Sequence, residues 1–386
     1  MGISILQWNC NGIRARSNEL KQYLSSTDVR YDILCLQETF LKEGHSFNLL
    51  GYRAIRKDRP DAAKGGLITF VQDSLNITVL DDINADGIEA LAVKVKTRNG
   101  DIVVINCYHP PQKPITSSSL EKLFFSTNTI ITGDFNAKNT LWGSPIVDRF
   151  GAEIEEMLSK NNFVCVNTGA PTRQNYNGTM SHIDVTFTSK TLGSKCTWGV
   201  INNCMGSDHL PTYTKVCEAP FLEPNPEPKF RMQTANWVDF KEGCKIHLAQ
   251  QLANSDIDTF AHSVQHAIIT AAELAIKVAK PGNRNKRAKQ LPYWNDQITS
   301  AVKQRNKARN KANRSRLPND CDNYRLLKGQ CQRLIKSTAK QHWHDYCSNL
   351  NSSAKLSTVW AMSLTMNGVD SNKSIHSTTQ QPNLRY

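Results

Sequence analysis

The sequence predicts an α/β fold of two packed sheets flanked by helices over residues 1–218, followed by a basic helical region. Three observations carry that reading. Short apolar runs alternate with turn residues throughout the first half. Several of those runs stay apolar at successive positions, the pattern of strands covered on both faces. A proline-dense segment, EAPFLEPNPEPKF at 218–230, then separates them from a second half whose apolar spacing is helical.

In chain order, strands are read at ISILQWN (3–9), DILCLQE (32–38), GGLITFVQ (65–72), LNITVL (75–80), IEALAVKVK (88–96) and DIVVINCYH (101–109). Further strands follow at TIITGDF (129–135), FVCVN (163–167) and HIDVTFTS (182–189). RSNELKQYLSS (16–26) and GAEIEEMLSKN (151–161) have helical spacing between them. Many strands and few helices in this length suit two sheets with helical flanks. Residues 219–230 read as a stiff, proline-rich linker and 231–367 as helices, with their apolar spacing running through 237–252, 258–279, 293–316 and 322–350. The polar stretch 368–386 is expected to be disordered, and the chain reads as an open reading frame cut short.

Composition narrows the function classes. A chain of 386 residues with 39% hydrophobic residues has enough apolar material for one large domain or two ordinary ones. No apolar run approaches the length of a membrane span, and MGISILQWNC leads straight into a strand without the basic and small-residue signals of a secretory leader. The 11 cysteines are scattered with no Cys-x-x-Cys, which points to a reducing compartment, cytosol or nucleus, and away from a zinc site.

The net charge of +13 is unevenly placed. Residues 1–218 hold 22 Lys+Arg and 22 Asp+Glu, whereas 219–386 hold 25 against 12. The run from Gln297 to Pro318 has no acid, and Trp294, Tyr324, Trp343 and Tyr346 interleave with the basic residues around it. Such a segment is a candidate nucleic-acid surface, with a solvated helical hairpin as the plainer alternative.

The first half is neutral, but its strands end in polar residues: Asn9 and Asn11, Glu38, Tyr108, Asp134 and Asn136, Asp184, and the pair Asp208-His209. Strand ends are where α/β folds place their sites, and a lone carboxylate against an apolar run is costly. In an extended strand Asp134 and Asn136 fall on one face by alternation.

The blocks WNCNGIR, LQET, NCYHP, GDFNA, SHIDV and SDHLP, in this order, resemble the endonuclease/exonuclease/phosphatase superfamily over residues 1 to about 217. That resemblance implies a four-layer α/β/β/α sandwich of two mixed sheets. It also implies that Asp134 orients or deprotonates an attacking water, Asn136 and Tyr108 bind the scissile phosphate, and His209, paired with Asp184, donates to it. Glu38, with Asn9 and Asp208, would hold Mg2+, or Mn2+ in its place, a hard cation suited to few carboxylates, water and phosphate oxygens. Asn11 departs from the acid usual in repair enzymes of the fold and fits retrotransposon nucleases better.

PYWNDQITSAVKQRNKARNKANRS, YRLLKGQCQRLIKSTAKQHWHDYCSNLN, KLSTVW and LWGSP resemble the nuclease-following spacer of jockey-like non-LTR retrotransposon proteins. No Tyr/Phe-x-Asp-Asp polymerase motif occurs in this sequence. The expected activity is Mg2+-dependent nicking of target DNA in the nucleus to leave a 3′-hydroxyl primer. Arg14, Arg173, Lys303, Arg305, Lys307, Arg309 and Lys311 are the expected contacts to DNA or element RNA. The alternatives are an apurinic repair nuclease, a catalytically idle nucleic-acid-binding fragment and, more distantly, a phosphatase on lipid or inositol phosphates.

Overall fold

The computed structural model describes residues 2–59, 64–80, 83, 85–111, 113–114, 116–124, 127–222, 230–232, 235–249, 257–277, 290–350 and 355–366. The expected disordered tail at 368–386 lies outside them. The chain forms two compact units, residues 1–222 together with 285–386, and residues 223–284.

In chain order the strands are β1 (Ile3–Asn9), β2 (Ile33–Gln37), β3 (Tyr52–Lys57), β4 (Leu67–Gln72), β5 (Ile77–Val79), β6 (Glu89–Val95) and β7 (Ile102–Tyr108). They continue with β8 (Thr129–Asp134), β9 (Phe163–Cys165), β10 (Arg173–Gln174), β11 (Met180–Ser181), β12 (Asp184–Ser189), β13 (Cys196–Val200) and β14 (Thr212–Val216). The helices are α1 (Ile13–Ser26), α2 (Ser117–Glu121), α3 (Arg149–Lys160), α4 (Lys190–Gly193), α5 (Trp237–Ala249), α6 (Ile257–Ala275), α7 (Asp296–Ser315), α8 (Pro318–Ser348) and α9 (Leu356–Met366).

Two six-stranded mixed sheets, ordered β13-β14-β1-β2-β4-β3 and β5-β6-β7-β8-β12-β9, make the body, with β10-β11 as a separate hairpin. Side-chain alternation explains the layering. Along β1, Ile3 and Ile5 enter a core shared with Val93, Val104 and Ile130 of the second sheet, while Leu6 and Trp8 face Ile13 and Leu20 of α1. On the far side Val103, Ile105 and Ile131 pack against Leu120 of α2 and Ile154 and Met157 of α3. The result is the expected four-layer α/β/β/α sandwich. It accounts for strands such as β2 and β8 that are buried at every position.

The first unit runs past the expected boundary at 218, because Pro220 and Leu222 bridge to Thr97 and Leu75. It also takes up part of the basic region. Helices α7 and α8 pair as a hairpin around Ile298, Cys331 and Ile335, and around Ala308, Ala312 and Tyr324. Arg305 on α7 is fully buried, and its Nη1 donates to both carboxylate oxygens of Glu19 on α1, at 2.7 and 2.8 Å. Arg309 is also buried and donates to Asn202. Both arginines therefore leave the expected nucleic-acid surface, because their charges point into the protein. Lys303, Lys307 and Lys311 stay exposed on α7, although Lys311 pairs with Asp320 at 2.7 Å.

A buried ion pair broken from one side leaves an uncompensated charge. Arg305→Ala is therefore expected to destabilise the protein by about 3–5 kcal/mol, measured by denaturant unfolding. Adding Glu19→Gln to that variant should recover part of the loss. An unchanged midpoint for the single variant would mean that Glu19 is solvated.

In the second unit, α5 and α6 form a helical pair, and the backbone N–H of Arg231 donates to the carbonyl of Lys277 at 2.9 Å.

Candidate active site

Strand register assembles the site. β7 runs parallel to β8 with Tyr108 opposite Asp134, and β8 runs antiparallel to β12 with Asp134 opposite Asp184. Tyr108, Asp134 and Asp184 thus stand side by side at one end of the second sheet. On the first sheet, parallel pairing of β1 and β2 sets Asn9 opposite Gln37, with Glu38 directly after. Gly133 makes the approach of β8 to β7 possible, since a Cβ there would lie 1.9 Å from the Cys107 carbonyl oxygen.

Three site residues sit in the left-handed backbone region: Asn11 (φ 46°), Glu38 (φ 50°) and Asn136 (φ 47°). For Glu38 this conformation costs on the order of 1 kcal/mol and persists only when neighbours enforce it. Backbone bonds do so, with Gly12 N donating to Glu38 O at 2.7 Å and Cys10 and Ile13 donating to the residues on either side.

Asp134 and Asn136 do meet, but not by alternation. β8 ends at Asp134, and the turn brings the Asn136 backbone N–H to Asp134 Oδ1 at 3.0 Å. The Asn136 side-chain amide is held by the His109 carbonyl at 2.9 Å.

His209 lies between two carboxylates that face each other across the strands. Its Nδ1 is 2.8 Å from Asp184 Oδ2 and its Nε2 is 3.8 Å from Asp134 Oδ2, with all three residues buried. Burial alone would lower the His209 pKa, but Asp184 and then Asp134 outweigh it and raise it to about 9. Burial pushes Asp134 up to about 7, with Asp184 adding to the rise and His209 opposing it. These atoms lie close enough together to suggest a metal cluster. A neutral imidazole could offer a cation its lone pair, whereas a protonated one holds a proton between the two carboxylates instead.

A polar ladder between the sheets supports the trio. Gln7 Nε2 donates to Asp184 Oδ1 and to Gln37 Oε1, both at 2.8 Å, and Gln37 Nε2 donates to Asn106 Oδ1 at 2.7 Å. Thr172 Oγ1 accepts from the Asp184 backbone N–H at 3.1 Å. Sequence reasoning missed these residues. Their signal was there, in the glutamine of ISILQWN and the asparagine of VVINC, each a polar residue inside an apolar strand.

Glu38 is half-buried at the same end of the fold. Its Oε1 accepts from Asn9 Nδ2 at 3.0 Å, and the same nitrogen donates to Asp134 Oδ2 at 2.7 Å. Asn9 thus presents its amide nitrogen to both carboxylates. The Tyr108 hydroxyl is pushed up by burial and then by the nearby Glu38 and Asp134 charges, which keep it a neutral donor. Asp208, expected at the metal, accepts at Oδ1 from Asn11 Nδ2 at 2.9 Å and pairs through Oδ2 with Arg173 Nε at 3.0 Å. Burial would raise the Asp208 carboxyl, but His209, Asn11 and Arg173 together hold it well below the usual carboxylate range. Arg173 is accordingly tied to the site, while Arg14 is exposed on α1 beside His45.

The donor set fits one hard divalent cation. Glu38 offers one half-buried carboxylate oriented by Asn9, and carboxylate oxygens are the ligands such a cation prefers.

Four layers thus carry two carboxylates and a histidine that converge at the strand ends. Residues 102–213 match the family described as Endonuclease-reverse transcriptase. The chain is 25% identical over 356 residues to a Drosophila melanogaster protein named "Probable RNA-directed DNA polymerase from transposon X-element", a match covering 89% of this chain and 38% of that one. It is 27% identical over 301 residues to the D. melanogaster RNA-directed DNA polymerase from mobile element jockey, covering 74% of this chain and 32% of the relative. The chain thus spans about a third of the length of these relatives. The endonuclease domain of TRAS1, a telomere-specific non-LTR retrotransposon, superposes with a TM-score of 0.48 at 23% identity, covering 56% of this chain and 98% of that domain. The resemblance to jockey-like retrotransposon proteins, first drawn from short motifs, extends over most of the chain.

Proposed function

We propose that the chain is a metal-dependent DNA endonuclease that nicks its target to leave a 3′-hydroxyl and a 5′-phosphate. The observation that carries this reading is the buried Asp134–His209–Asp184 trio beside a separate, half-buried Glu38. One set manages protons and the other offers a cation site. Asp134 accepts a proton from water as its oxygen attacks phosphorus and the bond to the 3′-oxygen breaks. His209, held protonated and oriented by Asp184, donates to a phosphate oxygen as charge builds there. Asn136 and Tyr108 donate to the same phosphate and fix its position. Mg2+ or Mn2+ held by Glu38 would supply charge neutralisation at the phosphate and at the leaving oxygen.

The further parts of the proposal concern place and partners. The nuclease would act on nuclear DNA, and the exposed lysines Lys303, Lys307 and Lys311 would meet DNA or element RNA. The nuclease module would include α7 and α8. Supporting this, the hairpin shares a buried ion pair with α1.

A supercoiled-plasmid assay with Mg2+ tests the activity, and an abasic-site duplex separates general nicking from repair-type incision. Glu38→Gln is expected to reduce nicking by about 10²–10³, the usual cost of losing such a charge-stabilising group, with DNA affinity nearly unchanged. Wild-type cleavage by this variant, or cleavage that persists in chelator, would remove Glu38 from the metal role.

A further inference from the structure

Beside the site, on the Asp208 side, lies a cavity of about 250 Å3 walled by the β10-β11 hairpin and α8. Its polar lining includes Arg173, Gln174, Tyr176, Asp208, Arg325 and Lys328. Two of the three cations there are committed. Arg173 pairs with Asp208, and Arg325 stacks on the Tyr176 ring at 3.5 Å while donating to the Tyr176 carbonyl at 2.8 Å.

Lys328 is different. It is half-buried, and no hydrogen bond or ion pair holds it among the described residues. Burial pulls its pKa down, Cys204 and Asp208 oppose that fall, and Arg16 and Arg305 add to it. An unpartnered lysine in a cavity lined by two further cations is costly unless an anion arrives.

The cavity adjoins the reacting centre through consecutive residues, since Asp208 lines it and His209 belongs to the trio. The anion that reaches both places at once is a nucleic-acid strand, whose phosphates recur at short intervals. We propose that this pocket receives a backbone phosphate of the DNA strand neighbouring the scissile one, with Lys328 as its charged contact. The α8 helix, contributed from beyond position 285, then forms part of the substrate track of the nuclease. This inference rests on the endonuclease reading and adds a subsite to it.

The test uses the full chain carrying Asp134→Asn, so that binding is read without cleavage. A duplex series in which single phosphates are replaced by neutral methylphosphonates is titrated against this protein, with and without Lys328→Gln. The expected result is one position where neutralisation weakens binding by the reference protein but leaves the Lys328→Gln variant unaffected. The slope of log affinity against log salt should fall by about 0.9 in that variant, the share of one phosphate contact. Lys328→Arg should restore both.

Identical penalty profiles and equal slopes would overturn the proposal, as would absence of DNA binding by the reference protein. The two readings fail separately. A chain that binds with the expected profile but never nicks DNA refutes the activity, whereas nicking with unchanged profiles refutes only the subsite.

Discussion

Asp134→Asn is expected to lower the rate of strand cleavage by about 10²–10⁴, the range spanned by a positioned general base. The same change should leave the fold at least as stable at neutral pH, which separates loss of function from loss of structure. Burial raises the Asp134 pKa to about 7 in the folded protein, against an ordinary value of 3.8. The unfolded chain therefore gives up this proton more readily than the folded one does. The contribution of Asp134 to stability is fully present below pH 4 and is lost as pH rises toward 7. Asparagine carries no such charge, so the variant escapes that loss, and its one side-chain oxygen can still accept from either Asn9 or the Asn136 backbone, each of which bonds a different oxygen of Asp134. Single-turnover cleavage beside thermal unfolding at pH 7 makes the comparison. Retained cleavage would remove Asp134 from the reaction, and a collapsed midpoint would make its role structural.

The second large effect lies at Asp184→Asn. Asp184 is the strongest influence raising His209 to about 9 against the opposing effect of burial, so removing its charge must lower that pKa. A donor that works only when protonated loses activity as pH rises through its pKa. The alkaline limb of the rate profile should therefore move from near pH 9 to lower pH, and the maximal rate should fall. The acid limb, set by Asp134 near 7, should shift down at the same time, since Asp184 helps raise Asp134. His209 also contributes stability that is fully present below its unfolded value of 6.5 and disappears as pH passes about 9. Asp184→Asn should shrink that contribution across the same window. A rate profile with an unmoved alkaline limb would reduce Asp184 to a packing role, whatever the change in maximal rate.

Much of this was legible in the sequence, and the reasons differ residue by residue. Tyr108, Asp134, Asp184 and Glu38 were readable because each ends or begins a run of apolar residues, where a polar group needs a purpose. The two-sheet architecture was readable because strands buried on both faces lose their alternation. Asn136 comes beside Asp134, but by another route than the alternation expected. Alternation assumes a continuing strand, whereas the chain turns through a left-handed residue and uses a backbone N–H.

Arg305 and Arg309 show where a charge count fails. Counting gives every arginine the same weight, yet these two share a helix face with Ile298, Ala308 and Ala312, the buried side of α7. The apolar spacing of that face could be seen, but the partner of Arg305 lies 286 residues earlier, and no local pattern announces it. Gln7 and Asn106 were hidden by the opposite effect, polar residues passing unnoticed inside strands that otherwise read as core.

The path of the backbone has a further consequence. The first unit is assembled from two separated lengths of chain, 1–222 and 285–386, so residues 223–284 are an insertion fastened at both ends. Cutting the polypeptide anywhere inside the insertion would not release the α7–α8 hairpin, because the Arg305–Glu19 pair and the hydrogen bonds of Leu291 to Gln22, Arg309 to Asn202 and Arg325 to Tyr176 still join the two pieces. Ending the chain at 218 would instead strip the hairpin from α1, leaving Glu19 buried and unpaired or newly exposed to water. Shortened versions of this chain should accordingly be designed as two co-expressed fragments or with the insertion deleted, and with the basic helices kept in place.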